Sequence, residues 1–222
     1  REKSLEAIMK FSTIITAGGT SSRFGNTNKL LEKINGKEVI KYTVDAFSDC
    51  GIDEIIVCAN KSIISELNSI LDGVKIIEGG KTRQESVYNG LMVVNCDYVL
   101  IHDGARPLIS CDVIKNTMQA VIDKKAVSVM TKTIDTIKEV DENGKIIRTI
   151  DRSKLYNTQT PQAFEYNLIK TVHEKLKGQS FTDDAGMAET LGYDVYMIEG
   201  DYRNIKVTTK SDLAIAKEYL SG

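Results

Sequence analysis

Strand-length apolar runs alternate with helix-period segments from residue 12 to residue 131, and this alternation restricts the chain to one fold class. Residues 12–17, 54–59, 74–78, 97–102 and 126–131 are short apolar runs, of which "EIIVCA" and "DYVLIH" are the purest. Between them, residues 38–49, 62–71, 83–94 and 112–124 carry apolar side chains at helical spacing, as with Val39, Ile40, Val44 and Phe47. Gly51 follows the first of these as a stop signal. Repeated β–α units predict an α/β fold: a mostly parallel sheet with helices on both faces. Sheets of this kind bind ligands at the carboxyl ends of their strands.

The alternation breaks at residues 136–150, "TIKEVDENGKIIRTI". Two amphipathic runs flank Asn143-Gly144, a strong hairpin signal. A lone two-stranded ribbon is marginal in water, so this arm is expected to pack on something, a second subunit being the candidate. Helical segments follow near 165–177 and 183–191, then a strand at 194–199 and a helix at 210–220.

Four stretches carry residue types suited to anion chemistry. In "ITAGGTSSRFG" (15–25) a strand runs into two glycines, three hydroxyl residues and an arginine. The glycine spacing matches neither a dinucleotide-binding fingerprint nor a Walker loop, because Asn26 follows Gly25. What is left is a small-residue loop whose N–H groups can approach phosphate oxygens, with Arg23 and Lys29 nearby to neutralise charge on a transferring phosphoryl group. In "EGGKTRQES" (78–86), Gly79-Gly80 permits close backbone approach to a flat ring, and Thr82 and Glu85 fit a capping box. Arg83 opens that helix, where the dipole disfavours a cation, so an ion-pairing or functional role is expected.

In "IHDGARP" (101–107), Asp103 ends a buried strand, where it could hold Mg²⁺, and Arg106 could clamp a phosphate. His102 reads as structural. Toward the C-terminus, Arg152 sits at the base of the hairpin, Thr160-Pro161-Gln162 reads as a loop, and Lys206 lies in an extended stretch before the last helix. Thr182 reads as an N-cap, with Asp183 and Asp184 in the first helical turn; metal binding by the two carboxylates is the alternative.

The net charge of −2 gives no global field that would attract nucleic acid or a membrane, so any anion site must be a local cluster of cations. No apolar run approaches the roughly 18 residues of a membrane span. Cys50, Cys58, Cys96 and Cys111 form no C-x-x-C pair and have no histidine at ligand spacing, and they read as buried, reduced thiols in a cytoplasmic protein. Met9-Lys10-Phe11 makes a natural beginning before the first strand, so residues 1–10 are expected to be an extension.

Taken together, "AGGTSSRFG", "GGKTRQES", "HDGARP", "TIDTIK", "TIDRSKLYNTQTPQAF", "TDDAG" and "EGDYRNIKVTT" resemble the 2-C-methyl-D-erythritol 4-phosphate cytidylyltransferases of the non-mevalonate isoprenoid pathway. The order and spacing of all seven make the resemblance specific. It implies one nucleotidyltransferase domain over 11–222 with a Rossmann-like twisted sheet, and residues 132–153 as a β-arm that embraces a partner in a homodimer. It also implies a cytoplasmic enzyme whose polyol phosphate substrate attacks the α-phosphate of CTP, with Mg²⁺ or another divalent cation.

The same resemblance implies roles residue by residue. Arg23 and Lys29 would stabilise the transition state. Ala17, Gly18 and Gly19 would present loop backbone to the nucleotide; Gly80, Lys81 and Ser86 would read cytosine, with Arg83 fixing that loop. Asp103 would lie near metal and substrate. Arg106, Thr136, Arg152, Thr160 and Lys206 would hold the substrate, with Thr136 and Arg152 reaching the partner's site and Arg152 and Lys206 counted among the catalytic groups. Thr182 would be a supporting contact. The chain departs from the usual pattern with Asn28-Lys29-Leu30 around the lysine, Gly104 in place of alanine, and Thr20-Ser21-Ser22 in the first loop, where extra hydroxyl contacts to phosphate are expected. A ribitol-5-phosphate cytidylyltransferase is the nearest alternative; a non-catalytic nucleotide-binding module is the alternative from another class.

Overall fold

The computed structural model describes residues 9–19, 24 and 27–221. Its first half is built as the alternation demands: β1 (Phe11–Ala17), the short β2 (Lys33–Ile34) and β3 (Lys37–Glu38), α1 (Val39–Asp49), β4 (Glu54–Ala59), α2 (Ile64–Ile70), β5 (Lys75–Glu78), α3 (Arg83–Leu91), β6 (Tyr98–Asp103), α4 (Cys111–Lys124) and β7 (Ala126–Lys132). The second half contains β8 (Ile137–Val140), β9 (Ile146–Ile150), β10 (Tyr156–Glu165), α5 (Tyr166–Lys175), α6 (Asp184–Thr190), β11 (Tyr196–Glu199) and α7 (Lys210–Ser221). Seven strands form one sheet in the order β11-β7-β10-β6-β1-β4-β5. All neighbours pair in parallel except β10, which runs antiparallel to both β6 and β7.

The period of two in the strands sorts their side chains between two cores. Phe11, Ile15 and Ala17 of β1, Ile55, Val57 and Ala59 of β4 and Leu100 of β6 join the core that packs against α1 and α4. Their neighbours Ile14, Ile56, Cys58, Val99 and Ile101 face the other way, onto α3, α5 and α6. Because both faces are covered, the strands read as continuous apolar runs rather than as alternating ones. Gly90 brings α3 flush against the sheet: a Cβ there would stand 2.8 Å from Ile14 Cγ2 and 3.0 Å from Cys58 Sγ.

Three expectations are corrected. Thr160-Pro161-Gln162 is not a loop but lies inside the ten-residue β10. Proline reads as a breaker because it donates no ladder hydrogen bond; here it occupies the register shift between Thr158 and Gln162, where the ladder is interrupted. The N-cap of α6 is Asp183, whose carboxylate accepts from Gly186 N–H, and not Thr182. The cysteines are not four buried thiols. Cys50, at the end of α1, and Cys111, at the start of α4, are joined with their Cα atoms 5.7 Å apart. Cys58 is buried and free, and Cys96 is free and half-buried. A separation of 61 residues gives no sequence signal for that pairing, which results from two helices packing side by side.

The hairpin forms as expected. Gly144 takes the left-handed conformation (φ +81°) and Asp141 Oδ1 accepts from the N–H groups of Asn143 and Lys145. Ile134, Val140, Ile146 and Ile147 on this arm are each more than half exposed in the single chain. No helix among the described residues is long and apolar enough to cross a membrane.

Gly90→Ala is expected to destabilise the chain by about 1–3 kcal/mol, because the added methyl overpacks the α3–sheet contact. A lower urea midpoint with an unchanged slope would be the observation.

Candidate active site

The crevice forms beside β1, where the chain reverses its direction of travel across the sheet: β4 and β5 extend to one side, and β6 returns to the other. A cavity of about 410 Å³ opens there. Ala17, Gly18 and Gly19 line it from the end of β1, Gly80, Lys81, Thr82, Arg83 and Ser86 from the turn into α3, and Asp103, Gly104 and Ala105 from the end of β6. Lys29, Lys206 and Thr208 complete it. Four cationic side chains and one carboxylate face this space among the described residues.

The turn into α3 is held by its own side chains. Ser86 Oγ accepts from Gly80 N–H (3.0 Å) and donates to the Thr82 carbonyl (2.9 Å). Thr82 caps α3 through Glu85 N–H, and Glu85 in return accepts from Lys81 N–H (2.7 Å). The glycines are required by this packing: a Cβ on Gly79 would stand 2.8 Å from Ser86 Oγ, and one on Gly80 would collide with Glu85 Cβ. The loop is therefore rigid before any ligand arrives, with its backbone lining the cavity.

Asp103 is 7 % exposed and is the charge around which the site is arranged. Lys206 Nζ lies 2.7 Å from Oδ2, Arg83 Nε 3.3 Å from Oδ1 and Arg106 Nε 3.7 Å from Oδ2. Burial alone would raise its pKa, but Arg83, then Lys206 and Arg106, hold the carboxyl well below the usual range, so it is ionised at neutral pH. Lys206 is brought there by its neighbours: Val207 N–H donates to the Ala105 carbonyl (2.8 Å), and Asp212 accepts from the N–H groups of Thr208 and Thr209.

Behind Asp103 lies a neutral buried network. Asp103 N–H donates to Thr160 Oγ1 (3.0 Å), which leaves the hydroxyl proton to point at His102 Nδ1 (3.0 Å). The His102 Nε2 proton then faces the Arg106 carbonyl at 3.3 Å. Burial lowers the His102 pKa to about 3. This histidine is structural, as the sequence predicts: it sets the backbone that carries Asp103 and Arg106.

The predicted residues thus divide. Ala17, Gly18, Gly19, Lys29, Gly80, Lys81, Arg83, Ser86, Asp103 and Lys206 share one cavity. Thr160 is buried, and its hydroxyl is engaged by His102 and Asp103. Arg106 turns inward, with NH1 donating to the Asn204 carbonyl (2.7 Å). Thr182 is exposed outside the cavity. Thr136 and Arg152 lie on the exposed arm, where Arg152 NH1 donates to the Ile134 carbonyl. Arg23 and the hydroxyl run Thr20-Ser21-Ser22 lie outside the described residues. Sequence reasoning assigned Asp183 and Asp184 to capping or metal; in the structure Asp183 caps and also accepts from Gln162 Nε2 (2.7 Å), while Asp184 is buried against Arg83 and His173. Thr208 and Gln162 also went unassigned, since neither stands in a pattern with a chemical signature.

The family model for IspD, 2-C-methyl-D-erythritol 4-phosphate cytidylyltransferase, matches residues 11–222. The chain belongs to this family. A 2-C-methyl-D-erythritol 4-phosphate cytidylyltransferase of Clostridium perfringens is 43 % identical over 222 residues, covering 95 % of this chain and 99 % of that protein. One from Clostridioides difficile is 41 % identical, covering 95 % and 94 %. Among solved structures, the 4-diphosphocytidyl-2C-methyl-D-erythritol synthase of Anaerococcus prevotii superposes with a TM-score of 0.86 at 33 % identity, covering 96 % of this chain and 97 % of that one. The 2-C-methyl-D-erythritol 4-phosphate cytidylyltransferase of Thermus thermophilus gives 0.83 at 28 % identity, covering 96 % and all of that chain (100 %). The IspD match favours the methylerythritol reading over the ribitol one.

The buried His102 predicts acid sensitivity. Its folded pKa lies below the unfolded value of 6.5, so the unfolded chain binds the extra proton first. The associated stability is fully present above pH 6.5 and is lost as the pH falls toward 3. Urea unfolding between pH 7 and pH 4 is expected to show stability falling with a slope approaching one proton per chain.

Proposed function

We propose that this chain catalyses attack of 2-C-methyl-D-erythritol 4-phosphate on the α-phosphate of CTP, giving 4-CDP-2-C-methyl-D-erythritol and pyrophosphate. The observation that carries this reading is the match to one family along 11–222, with the motif residues converging on a single cation-lined cavity. A chain of net charge −2 that directs Lys29, Lys81, Arg83 and Lys206 into one crevice concentrates positive potential where a triphosphate would lie.

In this mechanism the protein positions the reactants and stabilises charge, and it needs no covalent intermediate. The backbone of Ala17–Gly19 receives the triphosphate. The rigid Gly80–Ser86 turn takes the base, its fixed peptide groups favouring the smaller pyrimidine. Lys29, together with Arg23, meets the charge that builds on the α-phosphate. Lys206 holds the alcohol phosphate, while Arg106 and Thr160 act from behind the cavity wall by fixing Asp103.

Asp103 would hold Mg²⁺. The donor chemistry fits, because magnesium takes oxygen ligands and commonly uses one or two carboxylates beside substrate phosphates. Asp103 supplies one ionised carboxylate in the cavity, and no cluster of three or more ligating side chains occurs among the described residues. When bound, the ion would neutralise charge on the triphosphate.

The arm, residues 132–153, would embrace a second copy and deliver Thr136 and Arg152 to the partner's site. Its exposed isoleucines supply the apolar surface that such an interface would cover. The single domain would span 11–222, with the preceding residues an extension. Two water-soluble phosphorylated substrates fit a cytoplasmic reaction.

Pyrophosphate release from CTP, measured with methylerythritol phosphate and ribitol phosphate in turn, tests the assignment; turnover with neither would sink it. Lys29→Ala is expected to lower kcat roughly 10²–10³-fold, with a smaller change in substrate affinity. Arg152→Ala is expected to raise KM for the alcohol phosphate about tenfold or more while KM for CTP is unchanged. Equal loss toward both substrates would remove the arm from the acceptor site.

A further inference from the structure

Arg83 is gripped from two sides. Toward the cavity its Nε faces Asp103 Oδ1 at 3.3 Å; away from it, its NH1 donates to Asp184 Oδ2 at 2.7 Å. Asp184 is fully buried and has no freedom of its own. Its second oxygen, Oδ1, accepts from His173 Nε2 at 2.9 Å, and its N–H donates to Gln162 Oε1 at 3.1 Å. His173 lies on α5, 2 % exposed, inside the core on the side of the sheet away from α1 and α4. The line therefore runs from a helix with no contact to the cavity, through two carboxylates, to Lys206.

The Asp184 contact fixes the far end of the guanidinium through NH1, while Nε at the near end meets Asp103 Oδ1. A guanidinium held at both ends has lost the freedom to rotate on the Asp103 carboxylate. Asp103 Oδ2 faces Lys206 at 2.7 Å and, more distantly, Arg106 Nε at 3.7 Å; Lys206 is 40 % exposed along its side chain and able to exchange with an incoming anion.

We infer that Asp184 and His173 are positioning residues for the transfer reaction, holding the Arg83 guanidinium in place against Asp103 from the side away from the cavity. This inference rests on the proposed cytidylyltransfer. His173 orients Asp184, Asp184 orients Arg83, and neither of the first two touches a reactant.

The test is a double-mutant cycle with a spectroscopic arm. Asp184→Asn is expected to lower kcat/KM for CTP by about tenfold in the parent background and by less than about twofold in an Arg83→Met background. His173→Gln, whose amide can donate where Nε2 does, should retain most of the activity that His173→Leu loses. The ¹⁵N–¹H signal of Arg83 Nε should shift in Asp184→Asn and in His173→Leu, and stay near its parent position in His173→Gln. Equal losses in both backgrounds, kinetics that merely follow a lowered Tm, or an unmoved Arg83 signal in Asp184→Asn would overturn the inference. The NMR arm needs no turnover, so an inactive parent chain would count against the proposed reaction while a shifted signal still upheld the geometry.

Discussion

A carboxylate buried to 7 % exposure is unfavourable in a protein interior unless charge and hydrogen bonds surround it, and Asp103 is surrounded by both. Its cations come from three separate parts of the chain: Arg83 from the start of α3, Arg106 from the loop after β6, and Lys206 from the stretch before α7. Removing any one of them leaves the buried Asp103 less compensated, so the loops at this end of the sheet are electrostatically dependent on one another. The surrounding hydrogen bonds follow from the same demand. Thr160 and His102 hold the Asp103 backbone, Asn204 accepts from Arg106, and Asp212 anchors the extended stretch that carries Lys206. The site is a network that ties together strands distant in sequence.

The sheet was legible because its strands are covered on both faces. Glu54–Ala59 and Tyr98–Asp103 appear as unbroken apolar runs, and α1 and α4 show their buried stripe at helical spacing. β10 was not legible, because Pro161 and a run of polar residues (Asn157, Thr158, Gln159, Thr160) resemble a loop. Asn157 and Thr158 are exposed, but Gln159, Thr160 and Gln162 are buried for a reason that local sequence cannot express: each bonds to groups more than 20 residues away.

The cavity itself was read in large part. Arg83 stood out because its position opposes the helix dipole, and the structure supplies two carboxylates that reconcile it. Asp184 was visible as an acidic residue at a helix start, and the dipole reading was sufficient to explain it; only its depth reveals the ion pair. His173 carried no signal at all, since one histidine on an amphipathic helix is indistinguishable from a core residue. The Cys50–Cys111 pairing was hidden in the same way, by a contact between helices that no spacing rule encodes.

The cavity is lined by Ala17 near one end of the chain and by Lys206 and Thr208 near the other. During synthesis the pocket therefore has no complete wall until the chain through Thr208 has emerged. An interrupted product that stops before residue 206 keeps the strands and the glycine loops in its sequence but lacks the buried Val207 and Ala216 and presents Asp103 with one cation fewer. Ligand binding at this crevice thus doubles as a readout that the polypeptide through Thr208 is in place, a property that follows from topology alone and requires no additional part.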